Sequence, residues 1–154
     1  MRAPNSNEFR KKAIKNKEIR EKVEKSGQYR GIYIMDYIST DGFAERSDRL
    51  FAESLVLACG IPVHLKGFDF LIDCALAYSI SPLPFSELYS FVGALHSMTG
   101  HTVTRDVSHA LRCTTDLHIR LSALSGVPVS DNDTYNRFVI TLLSKLIRRN
   151  RFFN

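Results

Sequence analysis

The stretch from Leu88 to Leu111 constrains the fold of this chain most strongly, because its apolar residues recur at helical spacing on both sides of a short break. The break is Thr99-Gly100-His101, which contains a turn-forming glycine. The apolar positions that two helices would bury in one core are Val92, Leu95, Met98, Val103, Val107, Ala110 and Leu111. We therefore predict two short helices within residues 85–112, arranged either as a helix-turn-helix motif or as an ordinary helical corner.

The second of these helices is expected to turn a polar face away from the core. Short polar and cationic side chains on one helix face can reach base edges and phosphates in the major groove of DNA. The predicted DNA contacts are Thr102, Thr104, Arg105, Ser108, His109 and Arg112. Asp106 lies on the same helix and opposes phosphate binding unless it pairs with Arg105 or accepts a hydrogen bond from cytosine.

Two segments before this stretch also predict helices. The first is capped by Ser47 or Asp48 and ends at Gly60, since glycine is typical just beyond a helix C-terminus. The second spans residues 68–78, and its apolar residues at helical spacing indicate a core helix. Its Asp73 is expected on a solvated face.

Two segments after the stretch predict helices as well. One begins at Leu117 and stops at the Ser125-Gly126 turn, and the other spans residues 133–149 with one apolar stripe. With 44% hydrophobic residues in 154, the chain can bury one core. We predict an all-α fold, a compact bundle of five to six helices over residues 47–150.

Residues 1–46 are predicted to form an N-terminal extension with a different charge. Residues 1–30 contain ten Lys or Arg against four Glu, whereas residues 31–154 contain eleven against twelve acidic residues. Residues 7–26 lack Gly and Pro and predict a basic helix with a thin apolar stripe. Residues 31–39 indicate a strand or a buried extended segment. We expect the basic helix to contribute phosphate contacts or a homodimer interface.

Cationic side chains at both ends of the chain favour nucleic acid as a partner, because phosphate binding releases counterions. The candidate phosphate contacts are Lys11, Lys12, Lys66, Arg148 and Arg149. The alternative explanation is a solubilising tail together with cations that complement the dipole of the last helix.

Other chemistries find little support in the residues. Cys59, Cys74 and Cys113 have no close-spaced partners and lie in apolar segments, so we predict reduced thiols in the core and no disulfide. His109 and Cys113 are one helical turn apart, but a structural zinc site usually has four ligands, so we predict no metal. No phosphate-binding loop or nucleophile elbow indicates an enzyme or a cofactor. Without a long apolar run or a secretory signal, we expect a cytoplasmic, nucleoid-associated protein with no membrane partner.

Three blocks of the chain together resemble a known family. The first is GIPVHLKGFDFL from Gly60 to Leu71, the second runs from Leu88 to Leu111, and the third runs from Phe138 to Leu146. In this order they resemble the C-terminal effector domain of the sporulation-initiation response regulator of endospore-forming Firmicutes, over about residues 51–149. The resemblance implies an all-helical domain that binds promoter DNA through the second helix of the motif and contacts RNA polymerase.

The resemblance is incomplete in that second helix. Arg105 and His109 stand where the family has an arginine and a histidine, whereas Thr102, Thr104 and Ser108 replace an arginine, a glutamate and a second arginine. Bidentate contacts from long cations are worth roughly 1–3 kcal/mol of base discrimination each. The sequence preference of the family therefore does not transfer to this chain.

Two further departures limit what the resemblance implies. Residues 1–50 are too short for the doubly wound receiver domain that carries the phosphoacceptor in the family. The loop between Arg112 and Phe138 is shorter than in the family, so the polymerase-contacting surface does not transfer either.

We predict a stand-alone relative of the effector domain that binds double-stranded DNA with sequence preference. It would regulate transcription independently of phosphorylation, alone or with another regulator. The alternative is a degenerate effector-like domain that serves as a protein–protein interaction module without specific DNA binding.

Overall fold

A computed structural model of the chain describes residues 43–153. These residues form six α-helices, one short 3-10 helix and no β-strand. The α-helices are α1 (Phe43–Ala58), α2 (Lys66–Ile80), α3 (Phe85–Leu95), α4 (Gly100–Arg112), α5 (Leu117–Ser125) and α6 (Asn136–Phe153), and the 3-10 helix spans Asp131–Asp133. The predicted all-α bundle is confirmed for this part of the chain. The predictions for residues 7–26 and 31–39, and the candidate contacts Lys11 and Lys12, lie outside the described residues.

Helix α2 forms the centre of the bundle and packs against α1, α3, α4 and α6. Its buried residues are Gly67, Phe68, Phe70, Leu71, Ile72, Asp73, Cys74, Ala75, Leu76, Ala77 and Ser79. A helix that is apolar on nearly every face is stable only when other elements cover it. Helices α1, α3, α4 and α6 therefore surround α2, and the core helix predicted over residues 68–78 is confirmed.

Helix α1 begins earlier than the sequence predicts. Ser47 and Asp48 lie inside it, so the predicted cap is wrong. Asp48 is buried, and its carboxylate pairs with the guanidinium of Arg151 on α6. A partner distant in the sequence has thus overridden the local preference of aspartate for a helix start. The predicted end is confirmed, because Gly60 adopts the left-handed conformation with φ at 78°.

Asp73 on α2 is buried, so the predicted solvated face is wrong for this residue. Its Oδ1 accepts a hydrogen bond from Nη1 of Arg49 on α1 at 2.8 Å, and its Oδ2 lies 2.5 Å from Nε2 of His96, which follows α3. The His96 ring also meets the Phe70 ring edge to face, with centroids 4.9 Å apart. A carboxylate is tolerated in a core only when it is paired and hydrogen-bonded. The cluster therefore ties α1 and the turn after α3 to α2.

A four-residue turn, His96–Thr99, joins α3 to α4. The predicted break at residues 99–101 is therefore displaced, and Gly100 is the first residue of α4. A Cβ at Gly100 would lie 2.9 Å from the backbone nitrogen of Ser90, so the glycine permits close approach of the two helices. The left-handed residue of the turn is Ser97, with φ at 58°. Met98 was predicted to lie in the core, but it is 38% exposed, so that prediction is wrong.

Gly67 brings the backbones of α2 and α4 into direct contact. A Cβ at this position would overlap the carbonyl oxygen of Asp106 and would lie 2.6 Å from Cβ of Ala110. The buried face of α4 consists of Val103, Val107, Ala110 and Leu111, as predicted. Glycine at position 67 thus sets the distance at which this face meets α2.

Two arginines of α6 donate hydrogen bonds to the C-terminal end of α2. Arg148 donates from Nε to the carbonyl oxygen of Ser79 at 2.8 Å and from Nη2 to that of Tyr78 at 3.0 Å. Arg151 donates from Nη2 to Oγ of Ser79 at 2.7 Å. The last carbonyls of a helix have no partner within the helix, and cations are favourable at this end of its dipole. These contacts fix α6 against α2.

The end of α5 agrees with the sequence prediction, whereas the start of α6 differs from it. Helix α5 is followed by Gly126, as predicted, and this glycine has φ at 69°. Helix α6 begins at Asn136 rather than at Asp133, because Asp133 ends the 3-10 helix. That 3-10 helix is capped by Ser130, whose Oγ accepts a hydrogen bond from the backbone nitrogen of Asn132 at 3.3 Å.

Two of the three cysteines are buried and one is exposed. Cys59 and Cys74 are in the core as predicted, whereas the exposed Cys113 is not, so that prediction is wrong for it. Burial raises the pKa of Cys59 to about 11, and the charge of Arg120 offsets part of the rise. Burial, with the charge of Asp73, also raises the pKa of Cys74.

We predict that Gly67→Ala destabilises the protein, although alanine normally favours a helix by about 1 kcal/mol over glycine. The added methyl group must push α2 and α4 apart, and overpacking of this kind costs about 1–3 kcal/mol. Chemical denaturation measures the free energy of unfolding, and amide chemical shifts should change along α4. In the control Gly126→Ala, the Cβ meets no atom within 4 Å. The Gly126→Ala variant should be destabilised by backbone strain alone, so its amide chemical-shift changes should stay near the loop that contains residue 126. A neutral or stabilising Gly67→Ala would contradict the close contact.

We also predict that only one thiol of the folded protein reacts rapidly with a disulfide reagent at neutral pH. Cys113 is exposed, whereas Cys59 and Cys74 are buried and their raised pKa values suppress the reactive thiolate. All three should react after denaturation. Cys113→Ser should remove the rapid phase, and a rapid phase that persists in this variant would contradict the burial of the other two.

Candidate nucleic-acid interface

Helix α4 carries a straight row of basic and imidazole side chains on its solvent side. The exposed residues of this row, which we call the α4 ridge, are His101, Arg105, His109 and Arg112. They recur every three or four residues and therefore share one face of the helix. The opposite face is the buried one that packs on α2 and α3. Burial of one face thus orients the ridge outward.

The three hydroxyl residues predicted to contact DNA are half-buried and hydrogen-bonded within the protein. Thr102 donates from its backbone nitrogen to Oγ1 of Thr99 at 3.2 Å, and the two hydroxyl oxygens are 3.0 Å apart. Thr104 donates from Oγ1 to the carbonyl oxygen of Gly100 at 2.9 Å. Ser108 also has a side-chain partner. The three predicted contacts on α4 that are exposed are Arg105, His109 and Arg112.

Asn136, the first residue of α6, links that helix to the side of α4. Its Oδ1 accepts a hydrogen bond from Oγ of Ser108 at 3.0 Å, and its Nδ2 donates to the carbonyl oxygen of Thr104 at 3.1 Å. Burial raises the pKa of Tyr89 on α3 to about 12, and the side chain of Asn136 lowers it in part. No local pattern in the sequence indicates these contacts of Asn136, because Ser108 and Thr104 are 28 and 32 residues away along the chain.

Lys66 is the first residue of α2, close to the point where α2 meets α4. It is exposed and precedes Gly67, which touches the backbone of Asp106. Lys66 is therefore one residue from the point where α2 meets Asp106 and Ala110 of α4, whereas Asn136 contacts α4 at Thr104 and Ser108. The structure brings Lys66 close to the helix on which the sequence placed the DNA contacts.

The C-terminal cations lie elsewhere. Arg148 is held at Ser79, whereas α4 meets α2 at Gly67. These positions on α2 are twelve residues apart, which corresponds to about 18 Å at the rise of an α-helix. Arg149 is exposed, next to Arg148. Arg148 is thus occupied by the C-terminal end of α2, and the two arginines are distant from the ridge.

One acid borders the ridge. Oδ1 of Asp106 lies 3.6 Å from Nε of Arg105, and the two side chains are 22% and 66% exposed. An ion pair this exposed is weak, so the Arg105 guanidinium can exchange Asp106 for another anion at little cost. The pairing that the sequence suggested for Asp106 is present.

His109 and Cys113 lie side by side at the end of α4. Sγ of Cys113 is 3.6 Å from Nε2 and 3.9 Å from Nδ1 of His109. Among the described residues, no group of three or more His, Cys, Asp or Glu side chains could hold a metal ion. Two ligands on one helix turn leave a tetrahedral ion half-coordinated.

Comparison of the chain with protein families, with characterised proteins and with solved structures finds no match. Within residues 43–153, no helix is long and apolar enough to cross a membrane.

We predict that Arg148→Ala lowers the free energy of unfolding by about 1.5–3 kcal/mol, the usual range for hydrogen bonds to a charged group. The variant leaves the carbonyl oxygen of Tyr78 without its donor, and that of Ser79 with only the 3.4 Å hydrogen bond from Nη1 of Arg151. The neighbouring exposed Arg149→Ala is the matched control and should change stability by less than about 0.5 kcal/mol. Denaturant titration monitored by circular dichroism compares the two. Equal stabilities would show that Arg148 does not act on the end of α2.

Proposed function

We propose that this protein binds double-stranded DNA through the α4 ridge. The observation that supports the proposal is the row of His101, Arg105, His109 and Arg112, exposed along a helix whose opposite face is buried. A helix that presents cations on one face fits the major groove, which is about 12 Å wide. In this proposal α3, the turn and α4 act as a helix-turn-helix motif, with α4 in the groove.

Arg105 is the residue that we assign to base recognition. Its side chain is 66% exposed, and its weak partner Asp106 does not confine it. A guanidinium can donate two parallel hydrogen bonds to guanine. His109 would contact a phosphate or a thymine methyl group, and Arg112 a phosphate. The hydroxyls of Thr104 and Ser108 are engaged in the protein, so base reading would depend chiefly on Arg105.

Transcription regulation is the role in which such binding fits best. The resemblance to a sporulation effector domain suggests a stand-alone regulator in the cytoplasm, associated with the nucleoid and independent of phosphorylation. A contact with RNA polymerase or with another regulator, and a homodimer, belong to the same proposal.

A protein-interaction module is the second candidate function. It is favoured by one observation, namely that three of the six predicted groove contacts form hydrogen bonds inside the protein. A surface that has lost its base-reading groups could still bind a partner protein. The two candidates differ in whether the protein binds DNA at low salt.

We expect the full-length protein to bind a fluorescein-labelled duplex of mixed sequence, with affinity that falls as salt rises from about 50 to 200 mM. Loss of one good base contact costs about 1–3 kcal/mol, so Arg105→Ala should weaken a selected high-affinity duplex by roughly five- to 150-fold. Fluorescence anisotropy measures both. Arg149→Ala, which removes the same charge far from the ridge, should weaken binding to the duplex much less.

Each alternative outcome has a distinct meaning. No complex at low salt would exclude DNA binding and favour the interaction module. A complex that Arg105→Ala and Arg149→Ala weaken equally would show binding by overall charge rather than through the ridge. A complex that Arg105→Ala leaves unchanged would move the contact away from α4.

A further inference from the structure

We infer that the start of α6 forms a second DNA contact beside α4, in which Arg137 of its first turn and Tyr135, which precedes the helix, bind the phosphate backbone. This inference rests on the proposed function and extends it to residues for which the sequence offered no motif. It concerns affinity and register on the duplex, because backbone contacts position a protein without reading bases.

The position of this turn follows from Asn136. Its side chain bonds to Thr104 and Ser108, which lie one turn apart on α4. Neighbouring residues along a chain are about 3.8 Å apart between Cα atoms. Tyr135 and Arg137 therefore start within one residue of the contact between Asn136 and α4.

Both side chains are exposed and have the chemistry of phosphate contacts. Tyr135 is 55% exposed, and its ring is 6.2 Å from that of Phe138. Its hydroxyl can donate to a phosphate oxygen, as tyrosines in protein–DNA complexes do. Arg137 is exposed as well and supplies a permanent positive charge.

Arg137 is also held in place. Its guanidinium lies over the ring of Phe85, the first residue of α3, 5.5 Å from the ring centroid. That ring stacks on Tyr78, with centroids 5.1 Å apart. A guanidinium that covers an aromatic face keeps its N–H donors in its own plane, where they can meet an anion. Less rotational freedom is then lost when it binds phosphate.

Two acids, Asp131 and Asp133, precede this turn. The Asp131 side chain is 83% exposed, and its Oδ1 lies 3.4 Å from Nδ1 of His118 on α5. Asp133 is half-buried in the 3-10 helix. The exposed side chains next to Asn136 are therefore a phenol and a guanidinium.

The arrangement places a cation next in sequence to each of two residues that contact α4. Lys66 precedes Gly67, which meets Asp106 and Ala110, and Arg137 follows Asn136, which bonds to Thr104 and Ser108. A helix in the major groove has a sugar–phosphate backbone on each side. Lys66 and the α6 turn would meet the two walls of the groove that the ridge enters.

The test measures binding of the full-length protein to a labelled duplex of about 20 base pairs over a range of salt concentrations. Loss of one phosphate contact should lower the slope of log K against log salt by about 0.9 and weaken binding roughly fivefold near 0.15 M salt. We expect this for Arg137→Ala on every duplex, with a smaller loss for Tyr135→Phe. Arg137→Lys, which keeps the charge, should restore most of the slope. Thermal melting confirms that each variant is folded.

Arg149→Ala is the matched control at the other end of the same helix, and Arg105→Ala reports on the proposed function itself. Unchanged affinity and slope in Arg137→Ala, beside weaker binding in Arg105→Ala, would overturn this inference and leave the proposed function intact. Equal slope losses in Arg137→Ala and Arg149→Ala would also overturn it, because the effect would then be one of net charge. Absence of any complex with the wild-type protein would overturn both.

Discussion

Helix α2 is buried along most of its length, and the polar groups that it carries into the core must find partners on other helices. The carboxylate of Asp73 is satisfied by Arg49 and His96, and the carbonyl groups at the end of the helix are satisfied by Arg148. An unpaired buried charge or carbonyl would cost more than a typical hydrogen bond contributes. These requirements determine which helices can pack against α2 and at which position along its axis. The bundle is therefore specified by polar contacts as well as by apolar burial.

The same helix positions the candidate interface. Gly67 permits backbone contact with α4, and the His96 contact with Asp73 holds the turn from which α4 starts. Asn136 then fixes α4 from the side. Because α4 is held on three sides, its one free face is the ridge. A binding helix on a rigid support loses little conformational entropy when it meets a partner.

Hydrogen bonding divides the outward residues of α4 into two groups. The hydroxyls of Thr104 and Ser108 have partners within reach and are used inside the fold. The long side chain of Arg105 and the imidazole of His109 extend beyond such partners and stay exposed. Short polar side chains near a helix surface readily bond the backbone, so the surface that remains for a ligand is cationic. In the proposed function, this surface would contact phosphates more than bases.

The amino-acid sequence determined the all-α class, the approximate extent of each described helix and the face of α4 that is buried. It could do so because helical periodicity and the glycines at positions 60 and 126 are local signals. Only the tertiary structure decided that Asp73 is buried, that Arg148 serves α2 and that Asn136 braces α4. The partners in these contacts are 23 to 70 residues apart along the chain. Periodicity in the sequence shows which face of a helix is apolar. Which polar group pairs with a given side chain depends on where the other helices pack.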